Sequence, residues 1–332
     1  MARRNKARLR RPHFFILFAA ILVILIVMFF LLPSIVVWSQ EHPMNTPFPV
    51  GVDPQHKIIK ENDRASVLFK DSRYLNAAVA GAPGFFEMLS NTIASTALYQ
   101  LMAGAGSVPH IITINPGVRK EQVAALFGKA LKWDVSTQKM FTKLPPVSTD
   151  MLTEGTIAPG DYALSDNTSV LEVQTEVRNR FDDTVLSRYT PDIQKIVPLT
   201  QGLTIASIIE RETSDPEEMR VISGIIWNRI FQGMKLQMDS TLQYAKANGK
   251  GTWWPQILPK DKYIDSPYNT YQNEGLPPGP ISDPSTAAVL AALNPRKTSC
   301  LFYFHDDDGV FHCSDTYEQH VAALKKYYGQ GR

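Results

Sequence analysis

An uninterrupted apolar run, FFILFAAILVILIVMFFLL at Phe14–Leu32, rules out an ordinary water-exposed fold for the N-terminal part of this chain. As a helix rising 1.5 Å per residue, about nineteen such residues nearly cross a hydrocarbon core of ~30 Å. The alternative is a cleaved signal peptide, whose apolar core is usually about 7–15 residues long and precedes a small-x-small cleavage site. No such site follows here, so the run predicts an uncleaved transmembrane helix.

The residues before this run are strongly basic. They include Arg3, Arg4, Lys6, Arg8, Arg10 and Arg11. Basic residues beside a membrane span stay on the cytoplasmic side, so we expect nearly all of the remaining chain outside the cytoplasm. ATP and nicotinamide cofactors are scarce there, and we expect no cofactor. The formal net charge of the 332 residues is only +2, less than this basic segment supplies, so nucleic acid is not an expected partner.

The region that follows has weak periodicity as far as about residue 108. A Pro-rich spacer, EHPMNTPFPVGVDPQH, comes first, and a weakly helical stretch lies at about 85–102. The segment IITINPGVRKEQVAALFGKALKW then predicts a strand at 111–114, a turn at 115–117 and a helix. This is a small α/β element of the kind found in LysM-like modules. We interpret TEGTIAPGDYALSDNTSV as a loop leading into a further helix.

Two carboxylates interrupt the apolar segment LTIASIIERET at Leu203–Thr213. A helix from about Thr204 places the isoleucines on one apolar arc. Glu212 falls within that arc, so we expect it to be buried and paired. Glu210 projects from the other side, where it faces either solvent or a cleft, and the pattern alone does not decide between them. A carboxyl group in a cleft would have a raised pKa, which a general acid needs.

The segment after these carboxylates predicts a second helix with structural acidic residues at its start. Asp215 caps this helix, and Pro216 suits its first position. Glu218 has the spacing of a capping-box carboxylate. Glu217 and Glu218 are therefore predicted to be structural.

Aromatic and proline-rich segments follow. SPYNTY at Ser266–Tyr271 combines flat apolar faces with amide and hydroxyl groups, as carbohydrate-binding surfaces do, although plain loops often have the same composition. GLPPGPI at Gly275–Ile281 predicts a stiff, extended loop because its prolines fix φ.

Both cysteines, Cys300 and Cys313, flank a predicted β-hairpin with an Asp/Gly turn. They form either a cross-strand disulfide, as is common outside the cytoplasm, or two unpaired strand residues. The hairpin also contains His305 and His312. Because adjacent strand residues such as His312 and Cys313 point to opposite faces, we expect no metal site there.

Several motifs occur in the second half of the chain in the order and spacing of a known family. They are ASIIERET, NRIFQGMKLQMDSTLQYA, SPYNTY, GLPPGPISDPS, AALNP and the final hairpin. By these motifs the chain resembles the YceG-like family of endolytic murein transglycosylases over roughly 153–328, and more weakly over 111–131. The chain departs from the family pattern at Ser240, where a proline is usual, and at Val321, where an asparagine is usual.

The patterns and the resemblance together imply an α+β fold. It comprises an N-terminal transmembrane helix, a small LysM-like α/β module, and a mostly helical catalytic domain with a C-terminal β-hairpin. The expected boundaries are a cytoplasmic basic tail at 1–12, a transmembrane helix at 13–38, a membrane-proximal spacer and partial module at 39–106, the LysM-like element at 107–150 and the catalytic domain at 151–330.

The resemblance also implies a reaction. Glu210 would be the single general acid and base that cleaves the β-1,4 bond between N-acetylmuramic acid and N-acetylglucosamine without water, leaving a 1,6-anhydromuramoyl end. The positions that the resemblance assigns to the glycan groove are Gln237, Asp239, Tyr244, Tyr268, Asn269 and Tyr271. The implied partners are peptidoglycan glycan strands and, at the bacterial inner membrane, peptidoglycan synthases.

Two alternatives stay open. One is a non-catalytic, membrane-anchored scaffold that binds peptidoglycan. The other is a muramidase that uses water, in which Asp239 would supply a second carboxylate, although Asp239 also fits as a helix cap.

Overall fold

The structure is a computed structural model that describes residues 46–70, 110–143, 153–165, 167–247 and 252–329, with single positions at 18, 20, 21, 23, 24, 27, 92 and 96. Helices and three small antiparallel sheets make up these ranges, which confirms the predicted α+β class. No helix of the described residues is both long and apolar enough to cross a membrane. The predicted transmembrane run and the weak helix at 85–102 lie almost entirely outside the described residues, and both stay predictions.

The six described strands form three separate antiparallel pairs. The pairs are β1 (Val52–Asp53) with β2 (Ile58–Ile59), β3 (His110–Ile114) with β4 (Gly160–Leu164), and β5 (Phe302–His305) with β6 (Phe311–Ser314). The helices are α1 (Asp63–Leu68), α2 (Lys120–Ala130), α3 (Val135–Lys143), α4 (Val170–Phe181), α5 (Pro191–Ile196), α6 (Leu199–Glu212), α7 (Pro216–Phe231), α8 (Asp239–Lys246), α9 (Thr286–Leu293) and α10 (Tyr317–Tyr328).

The first described unit is a β3-α2-α3-β4 arrangement with its own apolar core. Strands β3 and β4 pair so that Ile112 lies opposite Tyr162. The fully buried Phe127 packs against Phe141 and Tyr162, at ring-centroid distances of 5.4 and 5.7 Å. Sequence analysis interpreted the segment around β4 as loop. That interpretation was wrong, because Gly160–Leu164 pairs with β3, and Tyr162 and Leu164 are buried in the same core as side chains of β3 and α2.

This unit extends across residue 150, where the sequence suggested a boundary. Strand β3 pairs with β4, which begins at Gly160, ten residues after the expected boundary. Helix α4 then adds Val173 and Val177 to the same core. The hydrogen-bonded unit is therefore built from both sides of the expected boundary, and its LysM-like character stays a prediction.

Helices α6, α7 and α9 form the larger core. All residues of α9 from Ala287 to Leu293 are fully buried, so α9 is the central helix of this core. Helix α6 begins at Leu199, earlier than predicted, since Pro198 already occupies the position before the first helical turn. The Asp215 side chain caps α7 by accepting from two backbone amides, as predicted. Glu218 does not complete a capping box. It accepts from the Thr213 hydroxyl instead, at 2.6 Å.

The C-terminal hairpin is β5 and β6, as predicted. A disulfide joins Cys300 to Cys313, whose Cα atoms are 5.8 Å apart. The structure therefore selects the cross-strand disulfide over two unpaired cysteines.

Candidate active site

The Glu210 carboxyl group lies at the C-terminal end of α6 and is partly buried. Its Oε2 atom accepts the Ser285 backbone N–H at 2.9 Å and the Ser285 hydroxyl at 2.5 Å. Burial raises the pKa of Glu210 to about 7, although both hydrogen bonds and the Arg211 charge act in the opposite direction. Glu210 is therefore not a freely solvated residue. It can both donate and accept a proton near neutral pH.

The turn after β3 packs against Glu210. Gly117 in this turn has φ +77°, and a Cβ atom there would lie 3.5 Å from Cγ of Glu210 and 3.2 Å from Nη1 of Arg211. The turn is fixed by Asp283, whose carbonyl accepts the Gly117 N–H and whose N–H donates to the Val118 carbonyl, both at 2.8 Å. This close approach, with a left-handed backbone, favours glycine at position 117.

Arg211 covers the other side of this turn. Its guanidinium lies 3.9 Å from the centroid of the Trp254 ring and makes a long hydrogen bond of 3.4 Å to the Gly117 carbonyl. This cation–π contact links the end of α6 to the segment before residue 260. The neighbouring Trp253 contacts Arg119, at 5.1 Å from the guanidinium carbon to the ring centroid.

Glu212, the second carboxylate of α6, points away from this turn and is paired, as expected. Its two oxygens accept hydrogen bonds from the hydroxyls of Ser240 and Tyr303, each at 2.7 Å. Burial raises the pKa of Glu212. Ser240, which replaces the usual proline, is thus used to hold α8 against α6.

The predicted groove residues fall into two pairs and two single positions. Tyr244 and Tyr268 pack with ring centroids 4.7 Å apart and ring planes tilted by 43°, and Arg119 lies over the Tyr244 ring at 4.0 Å. The exposed Asp239 accepts the Tyr271 hydroxyl at 2.6 Å. Burial, together with this hydrogen bond, raises the pKa of Tyr271.

Two of these predicted positions lie where the chain enters α8. Asp239 is the first residue of α8, and no side-chain cap is present, so the helix-cap interpretation was wrong. Gln237 is exposed, has φ +52°, and its N–H donates to the Thr270 carbonyl.

Asn269 does not face a groove. It is fully buried, and its amide donates to the carbonyls of Lys262 and Ile264 and accepts the Tyr271 N–H. The three hydrogen bonds of its side chain all join backbone groups of the 262–271 loop. A buried amide of this kind is satisfied by backbone rather than by ligand.

Three further polar residues near the site were missed by sequence reasoning. Ser285 and Asp283 lie in the GLPPGPISDPS motif, which gave no sign of their individual contacts. Asp283 is fully buried, and its Oδ1 accepts the N–H groups of Gly155 and Ile157. Burial, and the nearby Glu154 charge, raise the pKa of Asp283 well above its usual range.

Glu154 is the third of them. It is 7% exposed, accepts the Lys120 N–H at 2.8 Å and is 3.4 Å from the Tyr244 hydroxyl. Burial raises its pKa to about 7. Glu154 therefore joins α2 to the paired tyrosines. Among the described residues, no group of three His, Cys, Asp or Glu side chains is placed to hold a metal ion.

The chain that carries this site is similar in sequence to proteins of a known family. The YceG-like family matches residues 54–326. An endolytic murein transglycosylase of Bacillus subtilis (strain 168) is 28% identical over 308 residues, which cover 86% of this chain and 84% of that protein. An endolytic murein transglycosylase of Streptococcus pneumoniae (serotype 2, strain D39) is 30% identical over 169 residues, 50% of this chain and 31% of that protein.

A solved structure agrees with these sequence matches. The 2.6 Å crystal structure of a yceG-like protein from Listeria monocytogenes has a TM-score of 0.57 and 26% identity, over 72% of this chain and 81% of that one. Since the family match spans most of the chain, from just before β2 into α10, this protein belongs to the YceG-like family.

Proposed function

We propose that this protein is an endolytic murein transglycosylase in which Glu210 is the general acid and base. The observation that carries the proposal is the position of the Glu210 carboxyl group, which is partly buried at the end of α6 and held by two hydrogen bonds from Ser285. Burial raises the pKa of Glu210 to about 7, which suits a group that both donates and accepts a proton. Relatives in two organisms are named endolytic murein transglycosylases, which supports this activity.

The reaction would use one carboxyl group twice. Protonated Glu210 donates its proton to the glycosidic oxygen between N-acetylmuramic acid and N-acetylglucosamine as the C1–O bond breaks. The resulting carboxylate then takes the proton of the muramoyl C6 hydroxyl as that oxygen bonds to C1. The product is a 1,6-anhydromuramoyl end. Water and an enzyme nucleophile are not needed, in contrast to the paired carboxylates of most glycosidases.

The aromatic residues beside the site would bind the glycan strand. The Tyr244–Tyr268 pair offers ring faces, and the exposed Asp239 with Tyr271 offers a hydroxyl and a carboxylate. Sugar rings pack well on such faces while polar groups at the edge fix their orientation. Gln237 is exposed close to them in sequence and could contribute a side-chain amide.

We also propose that the N-terminal apolar run anchors the protein in the bacterial inner membrane, with the catalytic unit outside the cytoplasm. The Cys300–Cys313 disulfide favours this placement, because disulfides persist mainly outside the reducing cytoplasm. An anchored site would act on glycan strands as they emerge from the membrane, so peptidoglycan synthases are the proposed partners.

The test is mass spectrometry of the ends that the protein produces from uncrosslinked glycan strands. The wild type and Glu210→Gln are compared, with Glu217→Gln as the control, since Glu217 is exposed at the start of the next helix. We expect anhydromuramoyl ends from the wild type and the control, and none from Glu210→Gln. Undiminished cleavage by Glu210→Gln would refute the role of Glu210. Reducing muramic acid ends would indicate a muramidase, and no cleavage by any variant would favour the binding scaffold.

A further inference from the structure

We propose that Ser285 is a positioning residue that keeps the reactive proton of Glu210 on Oε1, so that one oxygen performs both the acid step and the base step. This inference rests on the proposed function of Glu210. It concerns a residue 75 positions away in sequence that contacts Glu210 through two separate hydrogen bonds.

The geometry of Ser285 leaves it little freedom. The residue is 2% exposed and occupies the N-cap position of α9, where its Oγ accepts the Ala288 N–H at 3.2 Å. Its backbone N–H and its hydroxyl both point to the same Glu210 oxygen, Oε2. The hydroxyl oxygen is already used as an acceptor, so its single hydrogen is available to Glu210.

The two Ser285 donors determine which oxygen of Glu210 can hold the proton. A carboxylate oxygen accepts hydrogen bonds in two lone-pair directions, and Ser285 occupies both directions at Oε2. A proton bound to Oε2 would displace the Ser285 hydroxyl hydrogen from the acceptor that it has in this structure. The protonated form of Glu210 therefore has its proton on Oε1.

The Oε1 atom is also the accessible oxygen. Oε1 has no hydrogen-bond partner among the described residues. It is also not fully enclosed by them, so that it can be reached from outside. A substrate oxygen can therefore approach Oε1 without breaking a hydrogen bond of the protein. Oε2 stays bonded to Ser285 throughout.

The two steps balance on this one oxygen. In the first step the Oε1 proton moves to the glycosidic oxygen, and the electron pair of the breaking C1–O bond goes to that oxygen. In the second step the muramoyl O6 forms the bond to C1 and its proton returns to Oε1. Glu210 ends in its starting protonation state, and the negative charge present between the steps is stabilised by the two donors of Ser285.

Among the described residues, three charged groups lie on the elements that carry Glu210 and Ser285. Arg211 and Glu212 share the helix of Glu210, and Asp283 lies on the segment that leads to α9. Of these, Arg211 acts on the Glu210 charge and favours the carboxylate. The packed turn at 115–118 and the Trp254 ring contribute no titratable group. Both Ser285 hydrogen bonds also favour the carboxylate, against burial.

The test removes the hydroxyl and follows the Glu210 carboxyl directly. The full chain is labelled with glutamate carrying ¹³C in its carboxyl group, and the Glu210 signal is assigned by its loss in Glu210→Gln. Variants are Ser285→Ala and Ser285→Gly, which lack the hydroxyl, and Ser285→Thr, which keeps it. Glycine is tolerated at an N-cap, so it still reports if alanine disturbs α9. Ser169→Ala, an exposed N-cap on α4, is the control for cap loss alone.

We expect the Glu210 pKa to rise by roughly half to one pH unit in Ser285→Ala and Ser285→Gly, because one hydrogen bond to the carboxylate is lost. The alkaline limb of the kcat profile should shift in the same direction, and kcat should fall by about tenfold or more while KM changes little. Ser285→Thr should restore both. An unshifted titration in both hydroxyl-free variants would overturn the inference, as would a wild-type kcat profile. Cleavage by Glu210→Gln would instead refute the proposed function, and the titration would still decide the hydrogen-bonding role of Ser285.

Discussion

Replacing Glu154 with glutamine should stabilise the protein at alkaline pH and leave its stability nearly unchanged in acid. Burial raises the pKa of Glu154 from its ordinary 4.5 to about 7. The folded protein therefore holds this proton over a range of pH in which the unfolded chain has lost it. Stability contributed by Glu154 is fully present below about pH 4.5 and is lost as the pH rises toward 7.

The size of the effect follows from that interval. At 1.36 kcal/mol per pH unit, an interval of about 2.5 units corresponds to about 3 kcal/mol by pH 8. The glutamine oxygen can still accept the Lys120 N–H, and its NH₂ group can donate to the Tyr244 oxygen, whose own hydrogen can turn to solvent. Because the isostere retains both contacts and has no charge to bury, its gain at pH 8 approaches this value.

The assay is urea unfolding followed by tryptophan fluorescence at about pH 4.5, 6 and 8. Glu154→Gln should equal the wild type at the lowest pH and exceed it by up to about 3 kcal/mol at the highest. A difference between Glu154→Gln and the wild type that does not change with pH would refute the reasoning, since it would mean that Glu154 titrates alike in both states.

Two further predictions test the residues around α6. Glu212→Gln should lower the free energy of unfolding by about 1–3 kcal/mol, because the amide NH₂ faces the Ser240 or Tyr303 hydroxyl donor. Cleavage per folded molecule should persist. Loss of activity at unchanged stability would show a catalytic role instead. Gly117→Ala should cost roughly 1 kcal/mol of strain and also reduce kcat, because its methyl group meets Arg211 and Glu210. Gly233→Ala is the matched control, with a similar φ of +68° and no neighbour within 4 Å, and equal effects on kcat in both variants would contradict the steric explanation.

The helical periodicity of the chain predicted the elements that bury an apolar face. The isoleucines of α6 are buried as the pattern requires, and the pairing of Glu212 follows from its place on the same face. The hairpin was predicted because its two strands are local in sequence. Such predictions succeed since each depends on neighbours within about a dozen residues.

Contacts between distant segments could not be predicted in this way. The Ser285–Glu210 pair joins residues 75 positions apart, and the Asp283 contacts to the 155–157 segment span more than 120. Strand β4 was interpreted as loop because its short run includes Gly160 and Asp161, and its pairing with β3 is what makes it a strand. Asn269 was assigned to the groove by the family resemblance, which does not say whether the side-chain amide turns outward or toward its own loop.

The position of α9 explains how these distant contacts combine. Its N-cap residue is Ser285, which donates hydrogen bonds to Glu210. At its C-terminal end, the carbonyl of Leu293 accepts the Gly51 N–H at 2.8 Å. The segment that leads into β1 is therefore hydrogen-bonded to the same buried helix whose other end orients the proposed acid. Because the helix is enclosed on all sides, a shift at either end must move the whole helix or break its packing. A rigid α9 thus fixes the Glu210 carboxyl group relative to the segment that leads toward the proposed membrane anchor.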